Sequence, residues 1–193
     1  TRFLGWAGQA LTGNLGTSWF TNEPVAQSLL SRLPVTLTLV IVAIIGIAIC
    51  ATLLGIAAAV KRGWIDRVVQ IAAVIGEAIP GFVLAIVFVT LFAIQLGWFP
   101  ATSSIGPGAG PDAWVASLTL PALALIVNGL TSAAQQIRSA VIGQLEKDYV
   151  RTLRSRGTPE PVILFKHVLR SAAPAGLTVL SLNFIGMLGG VVI

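Results

Sequence analysis

Lys147, Arg151 and Arg154 recur at i, i+4 and i+7, so on a helix they share one basic face. His167 and Arg170 follow a few turns later, in the same polar stretch as Asp148, Tyr149 and Glu160. Such a group of residues can dock a partner; it has little with which to catalyse. One histidine and one cysteine, His167 and Cys50, make no metal site at their separation. Cys50 has no second cysteine to pair with and reads as a small buried hydrophobe. None of Lys61, Lys147 and Lys166 follows a glycine, so the Gly-x-x-x-x-Gly-Lys phosphate loop is missing and ATP is not bound in that manner. Serine proteolysis within a membrane would need a base beside the nucleophile, and the only histidine sits in the polar stretch. Two further polar side chains, Glu77 and Asn128, lie within apolar runs. A carboxylate there marks a hydrophilic path or a basic partner by default, or else accepts hydrogen bonds near a bend before Pro80 or lies shallow enough to meet water. Asn128 reads as an interhelical hydrogen bonder or a solute ligand.

The elements that position these residues are membrane spans. The chain is 55% hydrophobic, 10% charged and has a mean hydropathy of +0.91, outside the range of a soluble domain. Pro34 to Val60 carries no charge, enough for ~40 Å of helix. Pro34 suits the first turn of that helix. The predicted spans are about 34–60, 68–96, 118–137 and 173–193, the last starting near Ala173-Pro174. Residues 1–33 read as an external interfacial segment with Trp6, Trp19 and Phe20 at the headgroup level, and no signal peptide is recognisable. The chain opens on Thr1 and ends in an apolar run, so both ends look cut.

A net charge of +5 would suit nucleic acid, but its placement argues against that partner. Ten of the twelve Lys/Arg lie in 61–67 and 138–170, beside apolar spans, while the Gly/Pro-rich loop 97–117 has none. The positive-inside rule makes the turn 61–67 and the segment 138–172 cytoplasmic and leaves 1–33 and 97–117 external. Trp64, Trp98 and Trp114 then fall at the interfaces. An external start implies a further span upstream if the native N-terminus is cytoplasmic. Small residues at four-residue spacing, Ala51-Gly55-Ala59 and Gly186-Gly190, predict close helix packing.

Within the polar segment, Val141, Ile142, Leu145, Tyr149 and Val150 predict one helix over 139–155. Gly157 ends it through a positive φ, Thr158 is the next N-cap and Pro159 the first helical residue. Val162, Ile163, Phe165 and Leu169 form the apolar side of the second helix. A basic loop resting on anionic lipid would explain the charge. It would not explain a Gly-Thr-Pro-Glu hinge between two amphipathic helices, which favours docking.

Asp148-Tyr-Val-Arg-Thr-x-Arg-x-Arg-Gly157, followed by Lys166-His167-x-Leu169-Arg170, resembles the cytoplasmic EAA loop of ABC importer permeases, in particular the dipeptide/oligopeptide/nickel branch. Asn14-Leu-Gly-Thr-Ser18, Asp66-Arg67, Ile79-Pro80-Gly-Phe82, Gln95-Leu-Gly-Trp-Phe-Pro100 and Leu120-Pro121-Ala122 resemble the same branch in the same order. The resemblance implies an all-α membrane protein, a polytopic bundle of the type I ABC importer kind, with about four of six spans present and the first and last missing. It implies as partners a homologous permease subunit, two cytoplasmic ABC ATPases that hold ATP and Mg, an external solute-binding protein and membrane lipid, in a bacterial plasma (inner) membrane. No cofactor is expected on this chain.

Asp148, Tyr149, Arg151, Thr152, Arg154, Arg156, Gly157, Thr158, Pro159, Glu160, His167 and Arg170 are assigned to ATPase coupling, Gly157 as the family's loop glycine. Glu77 and Asn128 are candidates for the translocation pathway. Leu153 departs from the family's usual small residue. His167 and Arg170 match the branch rather than the wider family. Glu77 replaces the small or hydroxyl residue usual before the Ile-Pro pair. Peptides, nickel complexes and opines all fit as solutes. The alternative from another class is an ion-gradient transporter with a regulatory loop, which needs more intramembrane ionisable residues than Glu77. A structural membrane scaffold is the third reading.

Overall fold

The computed structural model describes residues 2–102 and 109–191, so Gly106, Pro107 and Gly108 of the expected loop lie outside the described residues. Helix α1 (Arg2–Leu11) leads through a turn closed by the Thr17–Pro24 bridge into α2 (Val25–Lys61). The proline at the helix start is Pro24, in the cap position, and Pro34 lies inside α2. The expectation that Pro34 opens the helix is therefore corrected. Ala26, Gln27, Leu29, Leu30 and Arg32 are good helix formers and carry the helix upstream of it. Proline inside a membrane helix forfeits one hydrogen bond, which its surroundings can absorb. Thr38 Oγ1 donates to the Pro34 carbonyl at 2.7 Å, one turn on.

The expected span 68–96 is two arms. Helices α3 (Trp64–Ala78) and α4 (Gly81–Phe88), the latter continued by a π-turn over Val89–Gln95, meet at 95°. Ile79 supplies the corner: the residue before a proline is forced out of the helical region, and Ile79 is extended at φ −96°, ψ 116°.

Helix α5 (Pro111–Leu145) overruns the predicted 118–137 at both ends. Helix α6 (Asp148–Ser155) follows after a break at Glu146–Lys147. Then α7 (Glu160–Val162), a π-turn over Ile163–Val168 and α8 (Leu169–Val191) run on as one rod. The predicted span start at Ala173-Pro174 is thus corrected too, since Pro174 lies within the rod. Among the described residues, three helices are long and apolar enough to cross a membrane (Val25–Lys61, Pro111–Leu145 and Glu160–Gly189), and the bent pair makes a fourth.

The core is the seam between α2 and α5. Val40, Ala43, Ile47 and Ala51 bury one stripe of α2 against Ala133, Ala134, Ile137 and Val141 of α5. The Ala51-Gly55-Ala59 face is buried as its spacing predicts. A Cβ on Gly55 would stand 2.9 Å from the Ala134 carbonyl oxygen, so glycine sets how closely the two backbones approach. Gly186, by contrast, faces open space. Large apolar side chains such as Ile45, Leu53 and Leu177 point outward, as on helices surrounded by lipid or a partner.

Candidate functional site: the hinge segment and a polar pocket

The end of α5 and the start of α6 differ from the single helix predicted over 139–155. Val141 and Val150 are both fully buried in the same core. On one straight helix nine residues turn through about 900°, which puts the two on opposite faces. The break at Glu146–Lys147 lets both point inward. It leaves Lys147 in the cap position of α6 rather than on a shared face with Arg151 and Arg154.

Helix α6 ends where the sequence says it should. Gly157 has φ +75°. The Gly157 amide donates to the Arg154 carbonyl at 3.0 Å, and the Thr158 amide to the Leu153 carbonyl at 3.1 Å. Those two bonds form a Schellman cap, which needs a left-handed residue at the glycine position. A Cβ there would meet nothing within 4 Å, so the demand for glycine is conformational. The next helix starts one residue later than predicted: Pro159 occupies the cap position, Glu160 is the first helical residue, and Thr158 makes no side-chain cap.

Two further features lock the hinge. Arg154 Nε and Nη2 donate to Glu160 Oε1 and Oε2 at 2.6 and 3.1 Å, a two-pronged ion pair across Gly157. Both groups lie in the polar segment, Arg154 on α6 and Glu160 at the exposed polar end of the last rod, ahead of its apolar stretch. The Arg154 guanidinium holds the Glu160 carboxyl below its ordinary range, and Glu160 raises Arg154 in return. Below them, Val150 packs with Ile163 and Val168, all fully buried. The π-turn makes this possible, because i→i+5 bonding stacks Val168 over Ile163. Leu153 and Tyr149 pack at the edge of that cluster, and Tyr149 Oη donates to Gln144 Oε1 at 3.3 Å.

The outward face carries the remaining residues. Asp148, Arg151, Thr152, Arg156 and Pro159 are exposed. Arg151 pairs with Asp148 at 3.3 Å, so the expected basic face is partly neutralised from within. Arg151, Arg154 and Glu160 rim an open groove of 590 Å³, floored by Ala59, Leu164 and Phe165. His167 and Arg170 lie on a different face, with Lys166, Ser171 and Tyr149 around a second recess.

Sequence reasoning overlooked a tie between the segment and the bent span. Arg138 on α5 grips Asp66 in the first turn of α3 with both Nε and Nη2, the latter to Oδ2 at 2.7 Å. The two side chains are only 20% and 15% exposed. The available signal was a lone aspartate in the turn and an arginine ending the span that returns to the same level. Glu77 of α3 and Asn128 of α5, singled out separately, both lie near the corner of the bent pair where it packs on α5. Asn128 lies against Gly81, and Glu77 shares a pocket of 280 Å³ with Ser132, Gln135, Gln136 and Ser139 of α5.

Several apolar spans with a capped, ion-paired polar segment at one end define a polytopic helical membrane protein. Residues 51–193 match the family described as "Binding-protein-dependent transport system inner membrane component", and the chain belongs to that family. The family places the chain in the inner membrane. The chain is 35% identical, over 97% of its length, to a protein of Brucella abortus (strain 2308) named as a peptide transport system permease. It is 35% identical over its whole length to a protein of Sinorhizobium fredii (strain NBRC 101917 / NGR234) named as a peptide ABC transporter permease. Against the glutathione transport system permease protein of Salmonella typhi the identity is 34%, again over the whole chain. The chain spans about 60% of the length of these relatives.

Proposed function

We propose that this chain is part of the permease subunit of an ATP-driven importer for peptides or similar small solutes. It forms half of a translocation pathway and takes up the motion of a separate ATPase through the segment around Gly157. One observation carries this reading: α6 is fastened at both ends. Val150 is buried against the end of α5 and the start of the last rod, and the Schellman cap and the Arg154–Glu160 fork fix its angle to that rod. A push on α6 therefore moves the ends of two spans together.

In this reading the polar segment is cytoplasmic and two ABC ATPases bind ATP and Mg beneath it. A homologous permease subunit completes the pathway, and an external solute-binding protein delivers the solute. The exposed Asp148, Arg151, Thr152, Arg156 and Pro159 meet the ATPase. Closure of the ATPases tilts α5 and α8 and switches the pathway between its two openings. The relatives' names, peptide and glutathione permeases, support the solute class.

Gly157→Val tests the coupling. A β-branched residue is strained at φ +75° even where space is free. Uptake of a labelled dipeptide or glutathione should fall at least tenfold, with weaker co-purification of the ATPase. Normal uptake and normal co-purification together would remove the segment's coupling role.

A further inference from the structure

The polar face of α5 has no part in the hinge. Ser132, Gln135, Gln136 and Ser139 recur at i, i+3, i+4 and i+7 and so line one side of that helix. Glu77, near the C-terminal end of α3, completes the pocket with them. Its position is fixed by close packing on both sides of the corner. A Cβ on Gly76 would overlap Thr131, at 2.3 Å from its Cγ2, and one on Gly81 would touch Asn128 at 3.4 Å. The bent pair is therefore seated on α5 with little room to slide.

The chemistry of this pocket is one-sided. Its lining offers a carboxyl, two amides and two hydroxyls, each with an oxygen able to accept, and no lysine or arginine. Among the described residues Glu77 makes no hydrogen bond or ion pair, and the adjacent Arg138 has its fork committed to Asp66. Glu77 is exposed on this chain, and within a membrane span a carboxylate left without a counter-charge is costly and calls for a cation supplied from elsewhere. A primary ammonium brings one charge and three donors, which several convergent acceptors satisfy. The volume of 280 Å³ lies just below the ~300–1,000 Å³ of pockets for whole drug-sized ligands, and suits one end group of a solute.

We infer that Glu77, Ser132, Gln135, Gln136 and Ser139 form a station for the ammonium group of a passing solute, so that the pathway favours cationic or amino-terminated solutes. This rests on the pathway reading given above. The station is formed by side chains of α3 and α5, two elements tied by the Asp66–Arg138 pair, so it moves with the spans that the hinge drives.

The test uses the complete transporter in membrane vesicles with Cys50→Ala and Ser132→Cys. The introduced thiol is treated with the cationic trimethylammonium-ethyl and the anionic sulfonato-ethyl methanethiosulfonates. The station predicts that both react and that the cationic reagent is favoured. That preference should drop about tenfold on adding Glu77→Gln, the effect of removing one nearby charge in a poorly screened site, and should persist with Glu77→Asp. Ethylammonium should slow the reaction while neutral acetamide does not, and this protection should vanish with Glu77→Gln. If neither reagent reacts, the pocket faces lipid or a packed surface, and the pathway reading fails together with the station. If both react but Glu77→Gln changes neither preference nor protection, the water-filled path stands and the cation station is wrong, as when an arginine of a companion subunit already neutralises Glu77.

Discussion

Gly157, Arg154 and Glu160 do at the scale of single residues what the rest of the segment depends on. The glycine gives the backbone its left-handed step, and the ion pair limits how far the two helices can swing about it. Arg154→Ala should leave the helices intact and loosen their angle, seen as faster hydrogen exchange of the Gly157 and Thr158 amides. The pH dependence has a definite sign. Glu160 is held below its ordinary range by Arg154, so the clamp is fully present above the ordinary carboxylate value of about 4.3 and is lost as pH falls through a lower one. The difference in exchange between wild type and Arg154→Ala should thus be constant from about pH 7 to pH 5 and fade below about pH 4. A difference that grew on acidification would contradict this. The Asp66–Arg138 pair is less exposed and two-pronged. Asp66→Asn should lower stability by about 2 kcal/mol, the scale of hydrogen bonds to charged groups. Thermal unfolding of the purified protein measures it.

At the scale of elements, glycines that look alike have opposite roles. Gly55→Ala sets a Cβ against the Ala134 carbonyl, and a backbone atom cannot turn aside. Separation of α2 and α5 should cost about 1–3 kcal/mol, outweighing the ~1 kcal/mol that alanine contributes to a helix. Gly143→Ala, in α5 with open space around it, should stabilise by about that ~1 kcal/mol. Melting both variants beside wild type decides the pair. The Ala51-Gly55-Ala59 face and the stop at Gly157 are legible in the sequence because each is a local rule of spacing or backbone conformation. The break at Glu146–Lys147 is not: Val141 and Val150 look like parts of one amphipathic helix until the core that both enter is known. The two arms of the bent pair hide for a related reason. An uncharged run reads as one span, and only the seating of Gly76 and Gly81 on α5 shows which way Ile79-Pro80 turns it. The Arg154–Glu160 and Asp66–Arg138 pairs are invisible locally, since each joins residues across a turn or between distant helices.

At the scale of the molecule, the proposed function makes the bundle a lever with its handle at one end. Helices α5 and α8 leave the polar segment in sequence on either side of α6, and the buried Val150, Ile163 and Val168 join the three. Membership in the binding-protein-dependent inner-membrane family supplies the setting. In the proposed function everything turns on docking of an ATPase at α6. Its most direct test is site-specific cross-linking in the assembled transporter, with Cys50→Ala to clear the background and Arg156→Cys as the only thiol on this chain. Docking at α6 should give a cross-link from position 156 to the phosphate-loop ATPase, changing in yield when ATP is added. A transporter that still imports solute while position 156 never reaches an ATPase, with or without ATP, would contradict it.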